Sequence, residues 1–100
     1  ESTEVRPVIY EKDRIAITSV NKQAGLTYLA LFNISDSADI DVGVQLADLD
    51  IQGTVNITDM WSGEKLGAFE SSFSRSLPPH GSALVRIERA DQDRGVATGI

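Results

Sequence analysis

The stretch that decides the fold is residues 40–46, IDVGVQL, in which apolar residues alternate with polar or small ones. Side chains of a β-strand point alternately to opposite faces, so a period of two places one face against a core and the other in water. The same alternation recurs at residues 54–58 and 83–88, and more briefly at residues 15–17. These patterns predict half-buried strands of the kind found in antiparallel sheets.

The segment at residues 26–32, LTYLALF, is apolar on both faces. A strand covered on two sides has this composition, so we expect a central strand here. Residues 8–10 and 73–77 are weaker strand candidates. No long window has a helical stripe, and residues 46–49 are expected to form one helical turn at most.

Turn-forming segments separate these runs at a spacing of roughly 8–12 residues, which is typical of a sandwich or barrel. The firmest is residues 78–81, PPHG, because proline cannot donate a hydrogen bond within a sheet. We therefore predict an all-β fold, an antiparallel β-sandwich of seven or eight strands of Greek-key type. We expect one domain over residues 1–90 and a C-terminal tail over residues 91–100. We also expect the sequence to be a segment of a longer protein.

The strand periods also predict which side chains face inward between the two sheets. The predicted core comprises Ile15, Ile17, Tyr28, Ala30, Phe32, Val42, Val44, Val55, Ile57, Trp61, Leu77, Ala83, Val85 and Ile87. Leu29, Leu31 and Leu84 then fall on the opposite faces of their strands. We expect those three leucines to form a second apolar surface that docks against another domain.

Composition excludes several classes of function. The 15 acidic and 9 basic residues give a formal charge of −6. An excess of acidic groups disfavours nucleic acid and anionic membranes as partners, since both are bound through Lys and Arg. The sequence has no cysteine, which excludes disulfides, thiolate nucleophiles and cysteine-ligated zinc. No cofactor is expected.

The titratable residues do not suggest an active site. Asp36, Asp39 and Asp41 have the oxygen-rich character of a calcium loop, but they lack the six to eight oxygen ligands such a site needs. His80 is the sole histidine, which excludes a multi-histidine zinc site, and a turn is its expected place. We therefore predict no catalytic, metal-binding or cofactor-binding residue.

The aromatic residues allow two interpretations. Trp61 follows a strand and precedes a tight turn, so we expect its ring to fill the core. The alternative is a sugar contact made by Trp61 and Tyr10, since flat rings stack on pyranoses. Asn33 and Asn56 each begin an N-glycosylation acceptor pattern, and whether either is used stays open.

Three motifs in order carry a resemblance to a known family. Residues 59–63, DMWSG, resemble the Asp-Leu-Trp-Ser/Thr-Gly signature of the C-terminal domains of α-galactosidases and α-N-acetylgalactosaminidases, the melibiases of glycoside hydrolase family 27 type. Residues 28–33, YLALFN, resemble the apolar strand of these domains that ends in Phe-Asn. Residues 79–81, PHG, and the strand after them follow at the spacing of the family. Met60 departs from the commoner leucine, a swap that packing tolerates.

The resemblance implies a non-catalytic accessory domain that packs on a (β/α)₈ catalytic barrel and stabilises it. It implies that Asp59 and Trp61 shape the turn between two strands, within a signature that includes Gly63, and that Trp61 fills the core. It also implies that Pro79, His80 and Gly81 reverse the chain before the last strand. The family's catalytic aspartates lie in the barrel, so none is carried over to this sequence. The parent enzyme is expected to be secreted or periplasmic. A carbohydrate-binding module and a cell-surface adhesion sandwich are the alternative functions.

Overall fold

The structure is a computed structural model that describes residues 3–21 and 23–90, so the predicted tail at residues 91–100 lies outside the described part. The described residues form eight strands and one short 3₁₀ helix, which confirms the predicted antiparallel β-sandwich. The strands are β1 Thr3–Tyr10, β2 Arg14–Asn21, β3 Leu26–Asn33, β4 Ile40–Gln45, β5 Val55–Asp59, β6 Lys65–Phe69, β7 Ser72–Leu77 and β8 Ser82–Arg89. The 3₁₀ helix, Leu46–Leu49, is the helical turn expected there.

The strands pair into two sheets of very unequal size. Six strands form one sheet in the order β1-β2-β3-β8-β5-β6, and β4 and β7 form the second. Every pairing is antiparallel. The small sheet covers only one face of the large one, which we call the inner face. The opposite face of the six-stranded sheet, the outer face, has no second layer of the described chain over it.

The core lies between the inner face and the small sheet. It consists of Ala16, Leu29, Leu31, Val42, Val44, Leu46, Leu49, Val55, Ile57, Phe73, Leu77, Ala83, Val85 and Ile87. On β4, β5 and β8 the predicted inward residues are the buried ones, and Leu77 of β7 is also buried as predicted.

On β2 and β3 the prediction was inverted. Leu29 and Leu31 are fully buried in the core. Ile15, Ile17, Tyr28, Ala30 and Phe32, all predicted to face inward, lie on the outer face and are half-buried. On β3 the predicted phase is wrong because both faces of the strand are apolar. On β2 it is wrong because Ala16 and Thr18, rather than the isoleucines, face the core.

The inner positions of β2 are occupied by Ala16 and Thr18, both fully buried. Ala16 lies opposite Leu31, and Thr18 lies opposite Leu29. The Thr18 hydroxyl donates a hydrogen bond to the Tyr28 carbonyl at 3.2 Å, so its polar group is satisfied inside the core. Small side chains on β2 therefore leave room for the large leucines of β3 between the sheets.

Asn33 joins three segments at the end of β3. Its side-chain amide donates to the carbonyls of Ala38 and Leu77, each at 2.8 Å, and its Oδ1 accepts from the Ser35 amide at 2.9 Å. The residue is 1% exposed. A buried amide with its donors and acceptor in use is a structural polar group, and a glycan on this nitrogen would remove one of the two N–H donors. Asn56, in the other acceptor pattern, is exposed.

The turn before β8 requires glycine at its last position. The Gly81 amide donates to the Pro78 carbonyl at 2.8 Å, and the Gly81 carbonyl accepts from the Asn33 amide at 2.9 Å. A Cβ on Gly81 would lie 2.7 Å from Pro78 Cδ and 2.9 Å from the Pro78 carbonyl oxygen. His80 precedes it with φ of 60°, a left-handed conformation at the third position of the turn.

Replacing Gly81 by alanine is therefore expected to destabilise the fold by about 1–3 kcal/mol, because the turn must open to admit the methyl group. The measurement is the midpoint of urea unfolding. Ser82→Ala, at the exposed neighbouring position, serves as the control and should stay within about 0.5 kcal/mol of the parent. Equal midpoints for the two variants would contradict the steric argument.

Candidate functional site

The signature turn after β5 is held by a network of hydrogen bonds. Asp59 Oδ1 accepts from the amides of Trp61 and Ser62 at 2.8 and 3.0 Å. The Asp59 amide donates to the Glu64 carbonyl at 2.8 Å, and the Gly63 amide donates to the Asp59 carbonyl at 2.9 Å. Gly63 has φ of 78°, which glycine adopts without strain. The aspartate thus fixes the backbone on both sides of Trp61.

Asp59 also connects the two sheets. Its Oδ2 lies 3.7 Å from the guanidinium of Arg75 on β7, and only 12% of the carboxylate side chain is exposed. The backbone amides of Ser62 and Trp61, and then the charge of Arg75, hold the pKa of Asp59 below its ordinary value. All of these interactions favour the ionised carboxylate. Asp59 is therefore a structural anion rather than an acid–base group.

Acid stability should report on this carboxylate. A pKa that is lower in the folded than in the unfolded protein adds stability that is complete above the unfolded pKa, near 3.9. The contribution is lost as the pH falls from there through the folded pKa. We expect Asp59→Asn to be less stable than the parent at pH 7 and to lose less stability between pH 5 and pH 2. Urea midpoints measured across this range for both proteins test it, and parallel curves would contradict it.

The same turn places Trp61 outside the core, which corrects the sequence prediction. Trp61 is 64% exposed, and its neighbour Met60 is 37% exposed. The Met60 amide donates to the Leu84 carbonyl at 2.9 Å, so the turn is attached to β8 beside Leu84. The bonds from the Trp61 and Ser62 amides to Asp59 hold this backbone in place, and the ring lies largely in solvent.

The outer face of the six-stranded sheet is apolar over four strands. Cross-strand pairing places its residues in rows, since directly paired residues of antiparallel strands share a face. The apolar outer face comprises Val5, Pro7, Tyr10, Ile15, Ile17, Tyr28, Ala30, Phe32 and Leu84. Tyr10 is 80% exposed and Val5 is 67% exposed. Leu84 was predicted on this second surface, whereas Leu29 and Leu31 were wrongly placed there.

A shallow groove runs along the β1–β2 part of this face. Its cavity volume is about 340 Å³, and it is lined by Val5, Arg6, Pro7, Tyr10, Ile15 and Ile17. Aliphatic side chains therefore form most of its surface. Pro7 sits where the β1–β2 register shifts, on the edge strand, which is where proline is tolerated in a sheet.

The other end of the outer face is polar. Thr58 lies opposite Arg86 and Lys65, and Asn56 lies opposite Glu88. The Arg86 guanidinium is 3.3 Å from the Glu88 carboxylate. The outer face is thus divided into an apolar part on β1, β2, β3 and Leu84 and a polar part on β5 and β6.

The three aspartates at residues 36, 39 and 41 do not converge on a cation site. No group of three or more potential metal-ligating side chains occurs among residues 3–21 and 23–90. Asp36 instead lies 3.0 Å from His80 Nε2, and both side chains are largely exposed. This contact joins the loop after β3 to the turn before β8. No helix in the described segments is long and apolar enough to span a bilayer.

Comparison with known proteins identifies the class of domain. Residues 13–87 match the family described as the α-galactosidase C-terminal β-sandwich domain. Because the match covers most of the chain, the chain belongs to this family. None of the curated protein sequences matches it.

Solved structures share the fold. A family 27 β-L-arabinopyranosidase from Geobacillus stearothermophilus is 32% identical with a TM-score of 0.82, over 90% of this chain and 21% of its own. A Bacillus halodurans protein provisionally named an α-N-acetylgalactosaminidase is 28% identical with a TM-score of 0.78, over 85% of this chain and 20% of its own. α-Galactosidase I from Mortierella vinacea shares the fold at 19% identity and a TM-score of 0.74, over 86% of this chain and 23% of its own.

The chain thus spans about a fifth of the length of these solved proteins. In each of them a domain like this one accompanies a much longer stretch of polypeptide. The domain is an α-galactosidase C-terminal β-sandwich domain, as the sequence motifs indicated.

Proposed function

We propose that this chain is a non-catalytic accessory domain that packs on the (β/α)₈ catalytic barrel of an α-galactosidase-type glycoside hydrolase and stabilises it. The observation that carries the proposal is the apolar outer face. A six-stranded sheet in water is expected to expose polar side chains on its open face. Here that face presents isoleucines, tyrosines and a phenylalanine, and continuous patches of this kind mark surfaces that another protein covers.

The barrel is the proposed occupant because most of the polypeptide in the matched structures lies outside this domain. A domain that forms a fifth of such a chain has a large neighbour available at high effective concentration. Burial of the half-exposed Ile15, Ile17 and Phe32 then removes apolar surface from water, which is the main favourable term in association. Burying the area that these side chains expose on the isolated domain therefore contributes favourable free energy to docking.

A carbohydrate-binding module is the second candidate, because Trp61 and Tyr10 are both exposed. Sugar sites combine aromatic platforms with polar groups that fix the hydroxyls. Around Tyr10 the groove is lined mainly by Val5, Pro7 and isoleucines, which cannot bond hydroxyl groups. This chemistry suits an apolar protein surface better than a sugar.

The test places a charge on each side of the domain in the parent enzyme. Ile17→Glu puts a carboxylate in the apolar outer face, opposite Pro7 and Ala30. Ser74→Glu puts the same charge at an exposed position of β7, on the far side of the sandwich. We expect Ile17→Glu to lower the melting temperature of the enzyme by several degrees, because a buried carboxylate is costly. Ser74→Glu should leave it within about 2 °C.

Equal effects of the two charges on the enzyme would overturn the proposed docking face. The same variants of the 100-residue chain alone show whether Ile17→Glu acts through docking or through folding. Titration of the chain with galactosides and galactomannan, with Trp61 fluorescence as the signal, tests the sugar-binding alternative. A saturating response there would favour that second candidate.

A further inference from the structure

We propose that Trp61 is the anchor residue of the docking surface, a ring inserted into a pocket of the catalytic domain, with Asp59 as the residue that positions it. This inference rests on the proposed function and names the residue that contributes most of the free energy of docking. Interfaces draw most of their energy from a few side chains, and tryptophan is prominent among them. Trp61 is the only tryptophan of the chain, and nearly two-thirds of it is exposed.

The first support is the rigidity of the turn that presents the ring. The two amides bonded to Asp59 Oδ1 belong to Trp61 itself and to the next residue. Ser62 Oγ accepts from the Glu64 amide at 3.1 Å, which fixes the far side of the turn. A side chain held on an ordered backbone loses little conformational freedom on binding, so more of its contact energy appears as affinity. An exposed tryptophan on such a turn is preorganised for binding to a partner.

The second support is the position of the turn relative to the apolar outer face. Leu84 belongs to that face and lies opposite Ala30. Its carbonyl accepts from the Met60 amide, so the turn that carries Trp61 is bonded to β8 next to the apolar outer face. A partner that covers Leu84 therefore lies beside this turn.

The third support is the chemistry of the turn. Asp59 is turned inward toward Arg75 and has no role at the surface, so its carboxylate serves to fix the backbone. Met60 beside Trp61 adds a flexible apolar side chain of a type enriched at interfaces.

Hydroxyl-radical footprinting on the intact parent enzyme and on the 100-residue chain tests the inference. Trp61 should be oxidised readily in the chain, and its rate should fall at least about fivefold in the enzyme, because an anchor residue is fully desolvated. Tyr10 reports separately on the apolar outer face. His80, in a turn and outside that face, is the internal reference.

The outcomes separate this inference from the proposed function. Protection of Tyr10 without protection of Trp61 overturns the anchor and leaves the docking face standing. Exposure of both residues in the enzyme overturns both proposals. Protection of Trp61 in the isolated chain on addition of galactosides would make the ring a sugar platform and also overturn the anchor.

Substitutions provide the second measurement. In the parent enzyme, Trp61→Ala should lower the melting temperature by about 4 °C or more, whereas Glu64→Ala, at another exposed position of the same turn, should change it by less than about 2 °C. In the isolated chain, Trp61→Ala should stay within about 3 °C of the parent, since the ring is exposed there. A similar loss in both proteins would show that Trp61 supports the fold and not the interface.

Asp59 provides the test of positioning. Asp59→Asn keeps an oxygen that accepts from both amides, whereas Asp59→Ala removes it. We expect footprinting protection of Trp61 in the enzyme to survive in Asp59→Asn and to weaken in Asp59→Ala. Equal protection in the two variants would overturn the positioning role.

Discussion

Replacing Asn33 by aspartate is expected to destabilise the domain by about 3–5 kcal/mol at pH 7. The asparagine amide donates to the carbonyls of Ala38 and Leu77 from a site with almost no solvent access. A carboxylate in this place turns both donors into acceptors and adds a buried charge. A domain of this size has a total stability of about 5–15 kcal/mol, so the variant is expected to lose a large share of it.

The pH dependence of Asn33→Asp should identify the cause. Burial and the two facing carbonyls raise the folded pKa of the new carboxyl, because only its protonated form donates a hydrogen bond. The penalty is then small below the unfolded pKa, near 3.9, and grows to its full value as the pH rises through the folded pKa. Asn56→Asp, in the exposed member of the same sequence pattern, is the control and should change stability by less than about 0.5 kcal/mol. Urea unfolding from pH 4 to pH 8 measures both, and a penalty independent of pH would contradict the argument.

The second large effect is expected for Leu29→Ala, at about 3–4 kcal/mol. Leu29 is fully buried on the central strand, between Thr18 on one side and Val85 on the other. Truncation leaves a cavity. The neighbouring strands fill it poorly, because hydrogen bonds between strands hold them in place. The melting temperature of the chain should fall by more than about 10 °C.

Leu84→Ala is the matched control, because it removes the same atoms from the half-buried outer face. In the isolated chain it should cost about 1 kcal/mol, in proportion to the smaller area lost. In the parent enzyme the proposed docking covers Leu84, so its cost there should increase while that of Leu29→Ala stays the same. Equal costs of the two substitutions in the isolated chain would contradict the orientation of β3 and β8.

The sequence is sufficient to predict seven of the eight strands and more than half of the core. On β4, β5 and β8 polar residues alternate with apolar ones, so the period determines the buried face. On β3 it does not, because Tyr28, Ala30 and Phe32 are as apolar as the leucines between them. What selects the leucines is the small inner side of β2, a relation between strands that no single strand reveals.

The candidate site was predicted less well than the fold. The signature residues Asp59 and Gly63 were singled out, but the exposure of Trp61 depends on two hydrogen bonds to Asp59 Oδ1 that spacing does not encode. The strand β6, Lys65–Phe69, was not predicted, since its buried and exposed positions do not alternate. Asn33 was considered only as a glycan acceptor. Its position in the sequence, at the end of an apolar strand and before a turn, could have indicated a buried side-chain amide.

The insertion of β8 between β3 and β5 constrains when the domain can fold during synthesis. Thr27 on β3 pairs with Ile87 near the end of β8, and Ile57 on β5 pairs with the same residue. Until β8 has left the ribosome, the two halves of the large sheet have no strand between them and expose open edges. The nascent chain must therefore avoid aggregation through nearly the whole translation of the domain. A premature stop before Ser82 would leave two separate groups of strands rather than a smaller sandwich.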